Sequence, residues 1–183
     1  MTNDIHILPV GRKDQDEVIA YVLKTREQLF PMLNHKVIPR DLQEFSATYV
    51  ETDLGVFLQA RTGQGKLIAT IGMMAYDNRF PYFSFTATKI VEVVKLFIEP
   101  AYRRSGLATR LVHELKKMGQ KQGVELLYLH THPFLTGAYE FWLKQGFDLM
   151  LSCEEAGFET LHMTLDKTKV IKTNTFNSFM ENS

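Results

Sequence analysis

Two arginines stand beside a serine and a glycine in the run Arg103-Arg104-Ser105-Gly106, and these residue types suit the binding of an anion. Guanidinium groups carry a fixed charge and present forked donors that match phosphate oxygens. Glycine lets a ligand approach the backbone, and the amides at a helix start are unpaired and partly positive. If a helix begins here, a phosphate or pyrophosphate is the expected ligand. A surface turn with two solvated arginines is the alternative.

The flanking residues predict a strand before this run and a helix after it. Residues 89–98 are rich in Val, Ile and Phe, which favours a buried strand, and Pro100 ends it because proline cannot donate to a sheet ladder. Apolar residues recur at helical spacing from Leu107, and Ser105 is the predicted N-cap. A P-loop and a dinucleotide fingerprint are excluded, because the loop lacks Gly-Lys-Ser/Thr and has one glycine instead of three.

The loop and its flanking elements together resemble a known cofactor signature. Arg103-x-x-Gly106-x-Ala108 after a strand is similar to the acetyl-coenzyme A (acetyl-CoA) pattern Gln/Arg-x-x-Gly-x-Gly/Ala of the GNAT superfamily of N-acetyltransferases. The resemblance implies an α/β (α+β) fold. A central, mostly antiparallel sheet of seven strands is expected, splayed between the fourth and fifth strands, with helices on both faces.

A second pattern follows at the distance typical of this family. Ala138-x-x-x-Trp142-x-x-x-Gly146-Phe147 resembles Ala-x-x-x-Tyr-x-x-x-Gly-Phe. A strand over residues 124–131 and a helix over residues 136–145 are expected to carry it. The two patterns together span residues 89–147, about a third of the chain.

Acetyl-CoA is the co-substrate that the resemblance implies. Backbone groups at the end of the fourth strand would bond the pantetheine arm and polarise the thioester carbonyl, and amides at the helix start would hold the pyrophosphate. No metal is expected, because the His130-x-His132 pair has no third ligand in its motif. The implied cofactor-binding residues are Leu96, Phe97, Ile98, Arg103, Arg104, Ser105, Gly106, Leu107, Ala108, Thr109 and Trp142.

Acetyl transfer needs a group that takes a proton from the amine. Glu92 is the candidate base: it lies in an apolar strand, where burial would raise its pKa. It also stands eleven residues before Arg103, which matches the base position in the histone-acetylating branch of the family. The alternatives are that Glu92 is exposed or paired with a lysine such as Lys95, or that a water chain removes the proton.

The leaving thiolate needs an acid or another form of stabilisation. The family tyrosine is Trp142 here, and an indole N–H cannot protonate a thiolate. Tyr139 lies three residues earlier on roughly the same helical face and is the candidate acid, with core packing as the alternative. His130 and His132 would contact the acceptor or relay a proton. Cys153 is not expected as a nucleophile, because no partner histidine is identifiable nearby in sequence.

Composition sets the outer bounds. The chain has 183 residues, of which 45% are hydrophobic and 23% charged, as in ordinary globular proteins. Basic and acidic side chains balance at 21 each, so the net charge gives no reason to expect nucleic acid or a membrane as partner. No apolar run is long enough for a membrane span and the start lacks a signal-peptide pattern, so a cytoplasmic protein is expected. The single cysteine excludes an internal disulfide.

We expect one domain over residues 1–166, followed by a polar tail over residues 167–183. The aromatic run at residues 80–85 would line an acceptor pocket, cover the core or form a dimer contact. Further strands are predicted at residues 5–9, 55–60, 66–75, 148–152 and 160–165, and further helices from Asp14 or Asp16 to Phe30 and over residues 39–49.

The function that the resemblance implies is N-acetylation of a primary amine in a ternary complex. The acceptor would be a small molecule, or a lysine or N-terminus of a peptide or protein. Two alternatives stay open: a non-catalytic acyl-CoA-binding regulator, and an acyltransferase with another acyl donor or a hydroxyl acceptor. A homodimer also stays open, because many members of the family pair.

Overall fold

The computed structural model describes residues 4–167, which form seven strands and four α-helices. The strands are β1 (Ile5–Pro9), β2 (Gly55–Thr62), β3 (Leu67–Ala75), β4 (Ile90–Ile98), β5 (Leu126–Thr131), β6 (Asp148–Glu155) and β7 (Phe158–Asp166). The helices are α1 (Gln15–Leu29), α2 (Arg40–Gln43), α3 (Leu107–Lys121) and α4 (Ala138–Lys144). The predicted tail lies outside the described residues except for Lys167, and the predicted domain boundary stays a prediction.

All seven strands belong to one mixed sheet in the order β1-β2-β3-β4-β5-β7-β6. The β1–β2, β2–β3, β5–β7 and β6–β7 pairs are antiparallel, and β4–β5 is parallel. The parallel ladder joins only three residue pairs, from Ile90 with Leu126 to Glu92 with Tyr128, and the sheet is splayed, not closed. The predicted fold class is therefore confirmed.

The chain divides into two compact units, and the first contains residues 4–75 and Val93–Gln122. Its core joins Val18 and Val22 of α1 to an aromatic cluster of Phe45, Tyr49 and Phe57, whose ring centroids lie 4.9 to 5.1 Å apart. Gly72 of β3 packs under this cluster. A Cβ atom there would lie 2.7 Å from the Phe57 ring, so only glycine fits without a shift.

The helix predicted over residues 39–49 is wrong in its form. Only Arg40–Gln43 is α-helical, and a π-helical turn follows at Ser46–Val50, where the Glu51 amide donates to the Ser46 carbonyl. This wider turn accompanies a hydrogen bond of 2.6 Å from the Tyr49 hydroxyl to Asp41 Oδ2. The spacing of apolar residues, on which the helix prediction rested, carries no information about this Tyr49–Asp41 hydrogen bond.

The second unit contains Tyr76–Glu92 and residues 123–167. Tyr76, Leu126 and Tyr128 form its aromatic core. Of the three roles considered for the aromatic run, packing on the core is observed for its three phenylalanines, whereas Tyr82 is 47% exposed. The phenylalanines are Phe80, Phe83 and Phe85.

Candidate active site

The junction between β4 and α3 leaves the start of a fifteen-residue helix without a side-chain cap. The Ser105 N-cap prediction is wrong: its hydroxyl donates to the Tyr102 carbonyl at 2.6 Å, and Gly106 takes the N-cap position with φ of +81°. Glycine adopts this left-handed conformation without strain, but it has no side chain to accept from the first amides. The amides of Leu107 and Ala108 therefore keep their capacity to bind an external anion.

The backbone of this junction has two features that suit anion binding. Arg104 has φ of +59°, so left-handed residues stand on both sides of Ser105, a backbone arrangement that turns successive amides towards one point. A Cβ on Gly106 would meet no atom within 4 Å, which shows that this side of the loop is open. Arg103 and Arg104 are exposed, and Arg103 Nε donates to the Ile98 carbonyl at 3.0 Å. The sequence-predicted loop residues thus lie together, with donors suited to a diphosphate.

The strand that leads to this loop is distorted at Lys95, whose φ is +55°. The Thr70 hydroxyl donates to the Lys95 carbonyl at 3.0 Å, and Lys95 Nζ pairs with Asp41 Oδ2. Leu96 and Ile98 beyond it are half-buried. Since Arg103 already uses the Ile98 carbonyl, that group has one lone pair left for another donor.

Phe97 is also in this segment, and its side chain packs in the core of the first unit. A role in cofactor binding would fall to its backbone. Leu107 is likewise buried, while Ala108 is half-buried and Thr109 is exposed.

Glu92 is buried in the second unit, with 1% exposure, and is held by a bidentate ion pair. Arg79 Nη1 and Nη2 donate to its two carboxylate oxygens at 2.6 and 2.5 Å. His130 Nδ1 lies 3.1 Å from Oε1, close enough for an ion pair but without the alignment of a hydrogen bond. The alternative that Glu92 pairs with a lysine such as Lys95 is wrong. Its partner is Arg79, and Lys95 pairs with Asp41.

The expected rise in the pKa of Glu92 is wrong. Burial alone would raise it, but His130 and Arg79 together overcome burial and lower the pKa to about 2. Burial would also lower the pKa of Arg79, and the Glu92 carboxylate raises it instead. Glu92 is therefore an ionised carboxylate that attracts Arg79 and His130, and it is a weak proton acceptor.

The His130-x-His132 pair occupies two different environments. His130 lies beside Glu92 with 32% of its side chain exposed. His132 Nδ1 lies 3.0 Å from the Glu159 carbonyl oxygen, and burial lowers the pKa of this imidazole. His130 thus lies directly beside an ionised carboxylate.

The two candidates on α4 differ in burial. Trp142 is 7% exposed and packs edge-on against Phe147 at a centroid distance of 5.3 Å, as a core residue would. Tyr139 lies in the first turn of the helix and is half-buried. Tyr139 therefore has the more accessible polar group of the two.

A second polar cluster was missed by sequence reasoning. The β6–β7 hairpin brings Cys153 Sγ to 3.4 Å from His162 Nε2, although nine positions separate the two residues. Glu155 and Tyr82 complete this cluster, and the Tyr128 hydroxyl lies 2.7 Å from His162 Nδ1. Burial lowers the pKa of His162 to about 4, so the ring is neutral. The available signal was the alternation of Cys153 and Glu155 on one strand face.

None of the helices within residues 4–167 is long and apolar enough to cross a membrane.

Comparison with known proteins gives one family and a set of similar folds. The model of the acetyltransferase (GNAT) family matches residues 23–147. A search of curated proteins found no match. Among solved structures, a GNAT-family acetyltransferase from Staphylococcus aureus Mu50 is 20% identical, with a TM-score of 0.66 over 87% of this chain and 98% of the other.

Two further structures are similar to the same extent. A GNAT-family acetyltransferase from Streptococcus pneumoniae is 17% identical, with a TM-score of 0.68 over 89% of this chain and 99% of the other. The PaiA N-acetyltransferase from Thermoplasma acidophilum, solved in complex with coenzyme A, is 18% identical, with a TM-score of 0.63 over 89% and 99%. At these identities the likeness establishes the fold.

Proposed function

Because the chain belongs to the GNAT family of acetyltransferases, we propose that it moves an acetyl group from acetyl-CoA to a primary amine by direct attack in a ternary complex. The observation that carries this proposal is the β4–α3 junction. Its helix start has no side-chain cap, its glycine is left-handed with an open side, and two exposed arginines flank it. Such a start favours a diphosphate through amide donors and the helix dipole.

The binding role divides between the loop and the strand before it. Arg103, Arg104 and the amides of residues 105–109 would hold the diphosphate. Backbone groups of residues 96–98 would bond the pantetheine arm and polarise the thioester carbonyl. Trp142 would contact the cofactor arm only through its small exposed edge, because most of the ring is packed in its own unit.

For the proton taken from the amine, we propose that Glu92 acts with His130. The carboxylate stays ionised and lies 3.1 Å from His130 Nδ1, on the side where an acidic residue stands beside a catalytic histidine. His130 would accept the proton, and Glu92 would stabilise the resulting charge. Direct proton acceptance by Glu92 is the simpler assignment, but its lowered pKa makes it the weaker one.

Tyr139 is the proposed acid for the leaving thiolate, since its hydroxyl is the candidate polar group of α4 and the side chain is half-buried. A phenol can donate a proton that an indole cannot. The test is a Tyr139→Phe variant, which should lose turnover while keeping its affinity for coenzyme A.

A non-catalytic acyl-CoA-binding regulator is the second candidate. The specific observations in its favour are the buried tryptophan at the position of the family tyrosine and the tight ion pair that holds Glu92. A third reading keeps catalysis but uses another acyl donor. Calorimetry with acetyl-CoA, propionyl-CoA and succinyl-CoA, followed by thiol release with a panel of amines, separates the three.

The expected result is micromolar binding of acetyl-CoA and thiol release that depends on an amine. Binding without release on any acceptor would favour the regulator, and faster release from another donor would favour the third reading. No binding of any coenzyme A derivative would overturn the proposal. The panel should include small polyamines and lysine peptides, because both acceptor classes remain in the proposal.

Homodimer formation is proposed on the basis of β6, one of the two edge strands of the sheet. Its residues Leu149, Met150 and Leu151 are exposed at 43%, 38% and 36%. Sedimentation velocity across a concentration series tests the dimer. The cytoplasmic location expected from the sequence stays a prediction, to be tested by cell fractionation.

A further inference from the structure

Three side chains of the second unit, Cys153, Glu155 and His162, converge on one point, and we propose that they bind a zinc ion. Cys153 Sγ lies 3.4 Å from His162 Nε2 and 3.7 Å from Glu155 Oε1. One ligand atom from each residue lies within 4.8 Å of the other two. The proposal is independent of acetyl transfer, since it concerns a separate group of residues.

Two of the three ligand separations are close to those of a tetrahedral metal site. Zinc binds sulfur at about 2.3 Å, nitrogen at about 2.0–2.1 Å and carboxylate oxygen at about 2.0–2.2 Å. At tetrahedral angles these bonds place the ligand atoms about 3.4–3.6 Å apart. The separations from Cys153 Sγ, 3.4 Å to His162 Nε2 and 3.7 Å to Glu155 Oε1, need side-chain movements of only tenths of an ångström to match. The remaining separation, between Glu155 and His162, is within 4.8 Å, and a rotation of the half-buried Glu155 side chain would shorten it.

The donor set selects the metal. A thiolate and an imidazole favour zinc over magnesium or calcium, which prefer oxygen ligands. The Cys153 thiol loses its proton to solvent as the zinc–sulfur bond forms, so binding releases a proton. Cys153 is half-exposed, which gives the ion a path from solvent.

Tyr82 borders the site and contacts all three proposed ligands. Its hydroxyl oxygen is 3.4 Å from His162 Nε2 and 3.8 Å from Cys153 Sγ, and it donates to Glu155. Because this hydroxyl is hydrogen-bonded to Glu155 and lies closer to it than a fourth ligand would, it would orient the carboxylate, and a water would take the fourth position of the tetrahedron.

The surrounding residues hold the imidazole in the orientation that a metal needs. His162 is fully buried, and the Tyr128 hydroxyl lies 2.7 Å from its Nδ1, which leaves Nε2 directed at Cys153. A metal-binding histidine usually donates its second ring N–H to an acceptor, and with zinc bound His162 Nδ1–H would donate to the Tyr128 oxygen. On β6, Cys153 and Glu155 share a face because side chains alternate along a strand.

The sequence prediction of no metal considered only the His130-x-His132 pair, whereas these ligands come from both strands of a hairpin. The present proposal replaces that prediction. The metal would clamp the β6–β7 hairpin and, through Tyr82, the aromatic run that packs beside it.

The test uses the full chain, in which Cys153 is the only cysteine and is therefore the only thiol that can be labelled. We measure the rate of alkylation by iodoacetamide with zinc chloride, with magnesium chloride and without metal. Calorimetry with zinc gives the stoichiometry, and cobalt gives a thiolate charge-transfer band. We expect one zinc per chain, labelling slowed at least tenfold by zinc alone, and the cobalt band.

Matched variants identify the ligands. Glu155→Gln should weaken zinc binding at least tenfold and restore labelling, whereas Glu154→Gln, on the opposite strand face, should leave both unchanged. Tyr128→Phe should weaken binding about 10- to 100-fold, as loss of a supporting hydrogen bond does. His162→Gln removes a buried ligand, and circular dichroism checks whether this variant folds. If it does not fold, the Glu155→Gln variant, at a half-buried position, still decides the test.

Three results would overturn the proposal. One is a labelling rate that zinc does not change, and another is calorimetry without saturable zinc binding. The third is equal weakening by Glu154→Gln and Glu155→Gln, which would place the ion on surface carboxylates.

Discussion

Replacing Glu92 with glutamine tests the buried ion pair through the pH dependence of stability. The substitution keeps the size of the side chain and removes the charge that Arg79 and His130 hold. In the folded protein these neighbours lower the pKa of Glu92 from 4.5 to about 2. The carboxylate is 1% exposed, so solvent screening gives little discount.

The magnitude follows from the linkage between protonation and folding. Each unit of pKa difference corresponds to about 1.4 kcal/mol, so ionised Glu92 contributes about 3 kcal/mol to the free energy of unfolding at pH 7. Because the folded pKa is the lower one, this contribution is complete above the unfolded value and is lost as the pH falls through the folded value. At pH 3 about 1 kcal/mol of it remains.

The assay is urea unfolding of the wild type and the Glu92→Gln variant at pH 7, 5, 4 and 3. We expect a stability gap that narrows by about 2 kcal/mol between pH 7 and pH 3. The substitution also takes one partner from Arg79, which keeps its ion pair with Asp77. That added cost changes the size of the gap, so the narrowing is the diagnostic quantity. Exposed Glu154→Gln is the control, and its gap should stay within about 0.5 kcal/mol at every pH.

A gap that keeps the same size from pH 7 to pH 3 would refute the reasoning. It would mean that Glu92 has the same pKa in the folded and unfolded chains, and that the bidentate contact does not hold its charge. The proposed support of His130 by an ionised Glu92 would then lose its physical basis.

Three further predictions concern the cofactor loop and the acid. Gly106→Ala should lower the free energy of unfolding by about 1 kcal/mol through left-handed backbone strain, which urea unfolding checks. It should also raise the Kd for coenzyme A about tenfold, because the added methyl group enters the open side of the loop, and calorimetry checks this. Arg104→Gln should weaken coenzyme A binding about tenfold, and less so in high salt, whereas Lys121→Gln at the far end of α3 should not; equal effects would assign the change to net charge. Tyr139→Phe should lower kcat about 10²-fold with an unchanged Kd for coenzyme A in stopped-flow assays, and an unchanged kcat would exclude it as the acid.

Much of the fold was visible in the sequence because its elements follow simple periodicities. The β4–α3 junction was predictable from β-branched residues, one proline and an apolar helical stripe. The mistaken cap at Ser105 came from ranking side chains as hydrogen-bond acceptors, whereas the backbone conformation of Gly106 decided where the helix begins. The residue type alone predicts such a left-handed backbone conformation only weakly.

The polar contacts were the part that sequence could not give. The carboxylate of Glu92 meets Arg79 across thirteen positions, and Cys153 meets His162 through a hairpin register that includes a bulge between Leu149 and Leu151. Whether the pKa of a buried carboxyl rises or falls depends on which charged groups lie beside it. Burial alone gave the wrong sign for Glu92 because the guanidinium was not foreseen.

Gly72 links the core of the first unit to the strand that would present carbonyls to a thioester. Its missing methyl group leaves room for the Phe57 ring, and the same absent atom would lie 3.3 Å from Val94 of β4. Phe57 contacts Tyr49, whose hydroxyl donates to Asp41, the partner of Lys95 at the strand distortion. Gly72 is thus connected to β4 in two ways. One is the close approach to Val94, and the other is the series of contacts from Phe57 through Tyr49 and Asp41 to Lys95. A side chain at Gly72 would therefore displace Phe57 or Val94 and so disturb β4, although Gly72 itself is none of the residues assigned to the cofactor site.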